Sequence, residues 1–337
     1  MADEIKPNYD YINMLKESAQ KTGSIVCMGL DPVEEAIPIE GSFRKKVVEF
    51  HEKVFDRMLK EGVLPGAFKP NHGFFEVHDN QQTECYEGSK TLSDIMFLTR
   101  EKFPEIPKIL DFKRGDILTS STNYAKVGAN NWKADALTVA PYMGTDSVMP
   151  FVKTGKGIYV LDRTSNSGGA DFQNLRTIKK PEEFAEGLLR LVQENIENGD
   201  AKYGGLLYRN ILGYLEQEAP FLYESVANKI LDWSKEYKGI GAVFGATAPE
   251  ELMKTAPFFA KNEMMLLIPG VGGQGGSLEQ LMHTLRLEKY PLHLARINSS
   301  SGITHPWKIA DMAPKEWDVA VVQNLRTLNE HIGYVPK

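Results

Sequence analysis

The chain has 337 residues, 42% of them hydrophobic, with a formal net charge of -6; this composition suits a soluble globular protein with a sizeable core, not a fibrous or disordered one. The acidic balance argues against nucleic acid or an anionic membrane surface as the main partner, and no run approaches the roughly 20 apolar residues of a membrane-spanning helix. Cys27 and Cys85 are too few for a disulfide framework and fit a reducing, cytoplasmic setting, while the acidic start with Asp3, Glu4 and Asp10 does not read as a secretory signal.

In chain order, Tyr9 to Gln20 reads as a short amphipathic helix with Tyr11, Ile12 and Leu15 on its apolar side. Ile25 to Leu30 follows as a strand that stops at Asp31-Pro32, since proline cannot donate a ladder hydrogen bond. Phe43 to Glu61 carries Val47, Phe50, Val54 and Met58 at helical spacing. The strand-then-helix pattern recurs. Ala67-Phe68-Lys69 is a short strand before Pro70, and a helix from Ser89 to Lys102 leads to a strand beginning at Ile109. Asp135 to Ala140, Gly157 to Asp162, Gly239 to Gly245, Met264 to Ile268 and Leu292 to Ile297 are the remaining strands. A final helix around Trp317 to Leu328 spaces Val321, Leu325 and Leu328 on one face.

Eight strands, most followed by a helical pattern, predict a parallel sheet closed into an α/β (β/α)8 TIM barrel. The interval Lys179 to Lys238 is too long for one connecting helix and reads as a helical insertion between barrel strands five and six, within a single domain spanning residues 1–337.

The chemistry concentrates at Ile109 to Ile117. Asp111 and Lys113 stand two residues apart on a strand end, which directs both side chains to one side. Gly115 suits a turn that swings Asp116 back toward them. Taken alone, these residues read first as a solvated strand end, and the motif by itself is weak. In a barrel, however, Asp31, Lys69, Asp111, Lys113, Ser165, Gln274 and Arg296 all fall at or near carboxyl strand ends and are expected to converge there. The glycine-rich stretch from Pro269 to Gly276 allows backbone N–H groups to approach an anion. The seven histidines show no metal-ligand spacing.

Six stretches in series resemble the orotidine 5'-phosphate decarboxylase family, most closely its bacterial subgroup of larger chains. They are Gly29-Leu30-Asp31-Pro32, Phe68-Lys69-Pro70-Asn71, Asp111 to Ile117, Asp135 to Tyr142, Arg163-Thr164-Ser165-Asn166 and Pro269 to Gly276. The resemblance implies cofactor-independent, metal-independent decarboxylation of orotidine 5'-monophosphate to UMP in pyrimidine biosynthesis. Lys113 would place a cation near C6 and deliver the replacing proton, with Asp111 beside the substrate carboxylate and Lys69 and Asp116 completing an array of alternating charge. It also implies a homodimer in which Asp116 enters the partner's site, with Ser120 reaching toward the ribose. Asp31 and Lys69 would contact the ribose hydroxyls and Ser165 the pyrimidine amide, while Pro269, Gln274, Gly275 and Gly276 form the phosphate loop. The family's usual phosphate arginine falls on Ser301 here; Arg296, five residues earlier, is the candidate replacement, and its position nearer the strand fits a barrel residue equally. Two alternatives stand beside this reading: a magnesium-dependent sugar-phosphate lyase or aldolase of the same barrel superfamily, and a phosphate-ligand binder without turnover.

Overall fold

A computed structural model describes residues 10–198 and 204–336; Tyr9, Asp3 and Glu4 lie outside them. The strands in chain order are β1 (Val26–Gly29), β2 (Ala67–Lys69), β3 (Asp79–Asn80), β4 (Cys85–Tyr86), β5 (Ile109–Arg114), β6 (Ala136–Val139), β7 (Gly157–Arg163), β8 (Ile240–Phe244), β9 (Leu266–Ile268) and β10 (Ala295–Ser299). Eight of them form one sheet in the order β2-β1-β10-β9-β8-β7-β6-β5. Every neighbouring pair is parallel. Parallel bridges from Phe68 to Lys108 and from Asn71 to Asp111 join the two end strands, so the sheet closes into the (β/α)8 barrel that the alternation predicts. β1, β6, β8 and β9 are buried at every position, as strands walled by a barrel interior on one side and helices on the other must be. The hairpin of β3 and β4 lies outside the barrel and has no counterpart in the apolar pattern.

Helix ends follow local chemistry. Asp10 caps the helix Tyr11–Thr22 by accepting from the Asn13 amide, and Gly23 ends it in the left-handed region. Ser42 and Gly62 do the same for Phe43–Glu61. The last helix runs Trp317–Ile332 with Val321 and Leu325 buried. Among the described residues, no helix is long and apolar enough to cross a membrane.

The chain divides into two compact units, one holding Met1–Asn166 with Ile230–Lys337 and the other Ser167–Lys229. The barrel belongs to the first. The second begins earlier than the expected insertion at Lys179. It contains the helices Pro181–Glu197 and Gly204–Glu218 and the start of Leu222–Ser234. Residues 199–203 of the insertion lie outside the described residues. Within the unit the Tyr214 hydroxyl donates to the Phe184 carbonyl at 2.8 Å, and Arg176 donates to the Ala219 carbonyl at 2.7 Å.

Two strands start later than expected: β9 begins at Leu266, leaving Met264 and Met265 ahead of it, and the last barrel strand is delayed further. Leu292–Leu294 forms a 3-10 turn after Pro291, and the eighth barrel strand starts only at Ala295 and runs to Ser299. Its register is fixed from outside, by pairing of Ile297 with Val26 and of Ile297 with Ile268.

Lys108, 1% exposed, enters β5 with its ammonium donating to the Phe103 carbonyl. Burial pushes its pKa down to about 8, against partial support from Asp135. Below that pH both folded and unfolded chains carry the proton and the burial penalty is complete. Between about 8 and the unfolded value of about 10.4, the unfolded chain binds the extra proton and stability rises with pH. Lys108→Met is therefore expected to stabilise the fold by about 1–2 kcal/mol at pH 7, the lost hydrogen bond offsetting part of the relieved desolvation. Urea unfolding at pH 7 and pH 10 should show that gain shrinking at the higher pH.

Candidate active site

The carboxyl ends of the strands surround a cavity of ≈ 650 Å³. Asp31, Lys69, Asp111, Lys113, Ser165, Pro269 and Gln274 all line it, as the barrel topology requires of residues at strand tips.

Asp111 is its electrostatic centre. The carboxylate accepts from Lys69 Nζ at 2.8 Å on one oxygen and from Lys113 Nζ at 2.6 Å on the other. Thr138 on β6 donates its hydroxyl to the same oxygen as Lys113, at 2.9 Å. The Lys69 and Asp111 side chains are 4% and 8% exposed, whereas that of Lys113 is 47% exposed toward the cavity mouth. Burial by itself raises the Asp111 pKa. The Lys69 and Lys113 ammoniums overcome that effect and hold the carboxyl well below the usual range. Burial likewise pushes Lys69 down, but Asp111, Asp31 and Cys27 together keep its pKa above the ordinary lysine value. Both groups are thus charged across the physiological range.

The spacing of Asp111 and Lys113 brings the two together, but by a different local route from a regular strand. The register between β5 and β6 shifts between Leu110 and Arg114, and Lys113 sits at φ 45. For a residue with a side chain, that left-handed conformation costs about 1–2 kcal/mol. Thr138 compensates. Its hydroxyl oxygen accepts from the Phe112 and Lys113 amides at 3.1 and 3.0 Å, so one side chain both supports the bulge and orients Asp111. Thr138 was not singled out from the sequence; its only signal there is a polar residue inside an otherwise apolar strand. Gly115 takes no left-handed conformation. Its role is close approach, because a Cβ there would lie 2.4 Å from the Ala140 carbonyl oxygen.

Asp31 is held from two sides, accepting from the Asn71 amide at 3.0 Å and from the Ser300 hydroxyl at 2.7 Å. Gly29 makes room for this arrangement, since a Cβ at that position would fall 1.9 Å from Ser300 Oγ. In the Pro269 to Gly276 loop, Gly270, Gly272 and Gly275 occupy the left-handed region that favours glycine. The Gly275 and Gly276 amides donate within the loop, to Gly272 and Gly270. These two residues therefore shape the turn that presents Gln274, and do not themselves line the cavity. Asn298 on β10 does line it. It is 8% exposed, and its amide oxygen has no partner among the described residues. Sequence spacing missed it because the expected strand ended at Ile297, two residues before β10 does.

Besides Gly275 and Gly276, three further expected residues lie elsewhere. Asp116 and Ser120 stand outside the cavity lining, and Asp116 Oδ1 accepts from the Ile117 amide at 2.6 Å. Arg296 is fully buried and donates to the carbonyls of Gly66, Leu15, His293 and Ala295. Because β10 starts at Ala295, Arg296 sits at the amino end of the barrel, opposite the cavity, and cannot replace a phosphate arginine. Ser301 itself lines the cavity, as does His305.

Comparison with known proteins gives the same direction. Residues 25–204 match the model described as "Orotidine 5'-phosphate decarboxylase / HUMPS family". Orotidine 5'-phosphate decarboxylase of Dehalococcoides mccartyi is 33% identical over 270 residues, 80% of either chain. The enzyme of that name from Verminephrobacter eiseniae is 31% identical over 90% of this chain and 93% of its own. Among solved structures, Leishmania donovani OMP decarboxylase superposes with a TM-score of 0.64 at 25% identity, over 96% of this chain and 99% of that one. Leishmania donovani UMP synthase gives 0.65 at 27% identity over 97% of this chain, which spans 56% of that longer protein. A shared barrel, relatives above 30% identity over at least 80% of both chains and a family model matching residues 25–204 together place this chain in the orotidine 5'-phosphate decarboxylase / HUMPS family.

Proposed function

We propose that the chain is a cytoplasmic, homodimeric orotidine 5'-monophosphate decarboxylase that forms UMP without metal or cofactor. The observation that carries this reading is the buried Asp111 carboxylate gripped by two ammoniums at the barrel mouth. Loss of carbon dioxide breaks the bond between C6 and the carboxylate and leaves the electron pair on C6. A fixed positive charge beside that carbon stabilises it as it forms, and Lys113 Nζ, the more exposed of the two ammoniums, then transfers a proton to C6. Lys69 and Asp111 position it. Asp31 offers a pre-held carboxylate to ribose hydroxyls, Ser165 meets the pyrimidine amide, and Gln274 with Ser301 faces the phosphate. Binding energy from that remote phosphate can be expressed at the reacting carbon.

The dimer is supported by where Asp116 lies. It misses the cavity of its own chain, and the segments that follow β5 and β6 expose Ile117, Leu118, Tyr142 and Met143, the tyrosine at 95%. An apolar surface of that kind beside the barrel mouth suits a second copy of the chain, to whose site Asp116 and Ser120 would be delivered. Mixing Lys113→Ala with Asp116→Ala protein should then restore part of the activity that neither has alone.

The reading is tested by carbon dioxide release from orotidine 5'-monophosphate in the presence of a chelator. Turnover that persists supports it. Absent turnover, or turnover that the chelator abolishes, overturns it in favour of a metal-dependent sugar-phosphate lyase. A further variant probes ribose recognition. Gly29→Ala must push Ser300 off Asp31, and loss of that charge-assisted hydrogen bond is expected to raise KM about 10- to 100-fold with a smaller change in kcat.

A further inference from the structure

A second cavity of ≈ 660 Å³ opens at the amino end of the barrel. It is lined by Lys16 from the first helix, Arg286 and Lys289 after β9, His293 before β10, and the rings of Tyr290 and Tyr334, with no aspartate or glutamate in its wall. The Lys16 and Lys289 side chains have no hydrogen-bond or ion-pair partner among the described residues, in a chain whose formal charge is -6. Arg286 is oriented by donating to the Ile332 and Gly333 carbonyls at the end of the last helix, so its charge is placed but not neutralised. Deeper in the same end, the fully buried Arg296 is satisfied by backbone carbonyls alone. Its positive field reaches the cavity wall. Burial chiefly, then Lys16 and Arg296, lowers the pKa of His293, and Arg296 opposes the rise that burial causes at Tyr334. Glu263 is the acid felt at His293, and it acts there against these groups.

Uncompensated cations around a concave surface of small-molecule size have a physical consequence: they favour a ligand that brings several negative charges at once. We infer that this cavity is a binding site for a polyphosphate-bearing small anion, separate from the carboxyl-end site. The phosphates meet Lys16, Arg286 and Lys289, and the His293 and Tyr334 rings flank whatever the phosphates carry. A single phosphate would leave at least one of the three cationic side chains unmatched, so two or more phosphate groups fit the charge better. This assignment uses none of the residues of the proposed decarboxylation and stands or falls apart from it.

The test is calorimetric titration of the full chain with tripolyphosphate, with a nucleoside triphosphate and with inorganic phosphate at low ionic strength. One saturable tripolyphosphate site per chain is expected, weakening as salt is raised. Lys16→Ala combined with Lys289→Ala, two exposed side chains that hold nothing else in place, should weaken it by about 100-fold, roughly tenfold for each lost charge-assisted contact. Gln274→Ala, in the other cavity, should leave it unchanged, and an unaltered Tm shows that each variant is folded. A nucleoside triphosphate that binds tighter than tripolyphosphate assigns the aromatic wall to a base, and equal binding assigns the site to the phosphate chain; either supports the inference. Absence of saturable binding, equal affinity in the double lysine variant, or loss of binding in Gln274→Ala would overturn it.

Discussion

Lys113→Ala is expected to reduce carbon dioxide release from orotidine 5'-monophosphate by at least about 10⁴-fold in kcat, because under the proposed mechanism it removes both the cation beside C6 and the proton donor. The protein should remain folded. The Lys113 side chain is 47% exposed, and Asp111 keeps its buried partner, Lys69 at 2.8 Å. KM should change much less than kcat, since the residues proposed to contact the ribose and phosphate lie on other strands. Alanine also leaves a residue at φ 45 without the ion pair that accompanied it, so a parallel Lys113→Arg variant is informative: charge is retained, proton donation is lost, and activity should stay near the alanine level. Steady-state kinetics with a binding measurement for UMP separates the two effects. A Lys113→Ala enzyme within about tenfold of the parent would remove Lys113 from the chemistry.

Asp111→Asn is expected to damage both stability and turnover. The change leaves Lys69, 3% exposed, facing a neutral amide, and a buried charge deprived of its partner costs about 3–5 kcal/mol. The pH dependence has a definite sign. Asp111 has a folded pKa below its unfolded one, so its contribution is complete above about pH 4 and is lost as pH falls toward the folded value. Lys69 has a folded pKa above its unfolded one, so its contribution is complete below about pH 10 and is lost above that. The stability advantage of the parent over Asp111→Asn should therefore be flat between these limits and shrink on the acid side. Guanidinium unfolding at pH 7 and pH 3 measures this directly. In kinetics, the variant should lose about 10³-fold in kcat, because Lys113 is no longer anchored 2.6 Å from a carboxylate and its ammonium wanders from the reacting carbon.

Most of the architecture follows from local signals. Apolar runs ended by Pro32, Pro70 or a glycine cluster mark strands, and 3.6-residue spacing marks the helices between them. The number and alternation of these elements leave few closed arrangements. In a barrel, residues at carboxyl strand ends must face one cavity, which is why the sequence alone groups Asp31, Lys69, Asp111, Lys113, Ser165 and Gln274. Strand boundaries are less secure from sequence, because a strand's ends are set by its partners. Leu292 to Leu294 has strand-like composition, yet pairing with β1 and β9 starts β10 only at Ala295. That shift decides that Arg296 lies beneath the barrel and that Asn298 reaches the cavity.

Tertiary structure also decided how the charged cluster is made. A regular strand already predicts that Asp111 and Lys113 share a face, but the register shift against β6, the left-handed Lys113 and the Thr138 hydroxyl that sustains both exist only when two strands meet. The close approaches at Gly29 and Gly115 have the same origin, since the clashing atoms belong to Ser300 and Ala140. The sequence by itself determined which groups were available and at which end of the barrel they would gather, because hydrophobic periodicity and turn residues act over a few positions. Which groups touch, which are buried and which charges go unpaired was settled by contacts between segments far apart in the chain, and local patterns carry no information about those.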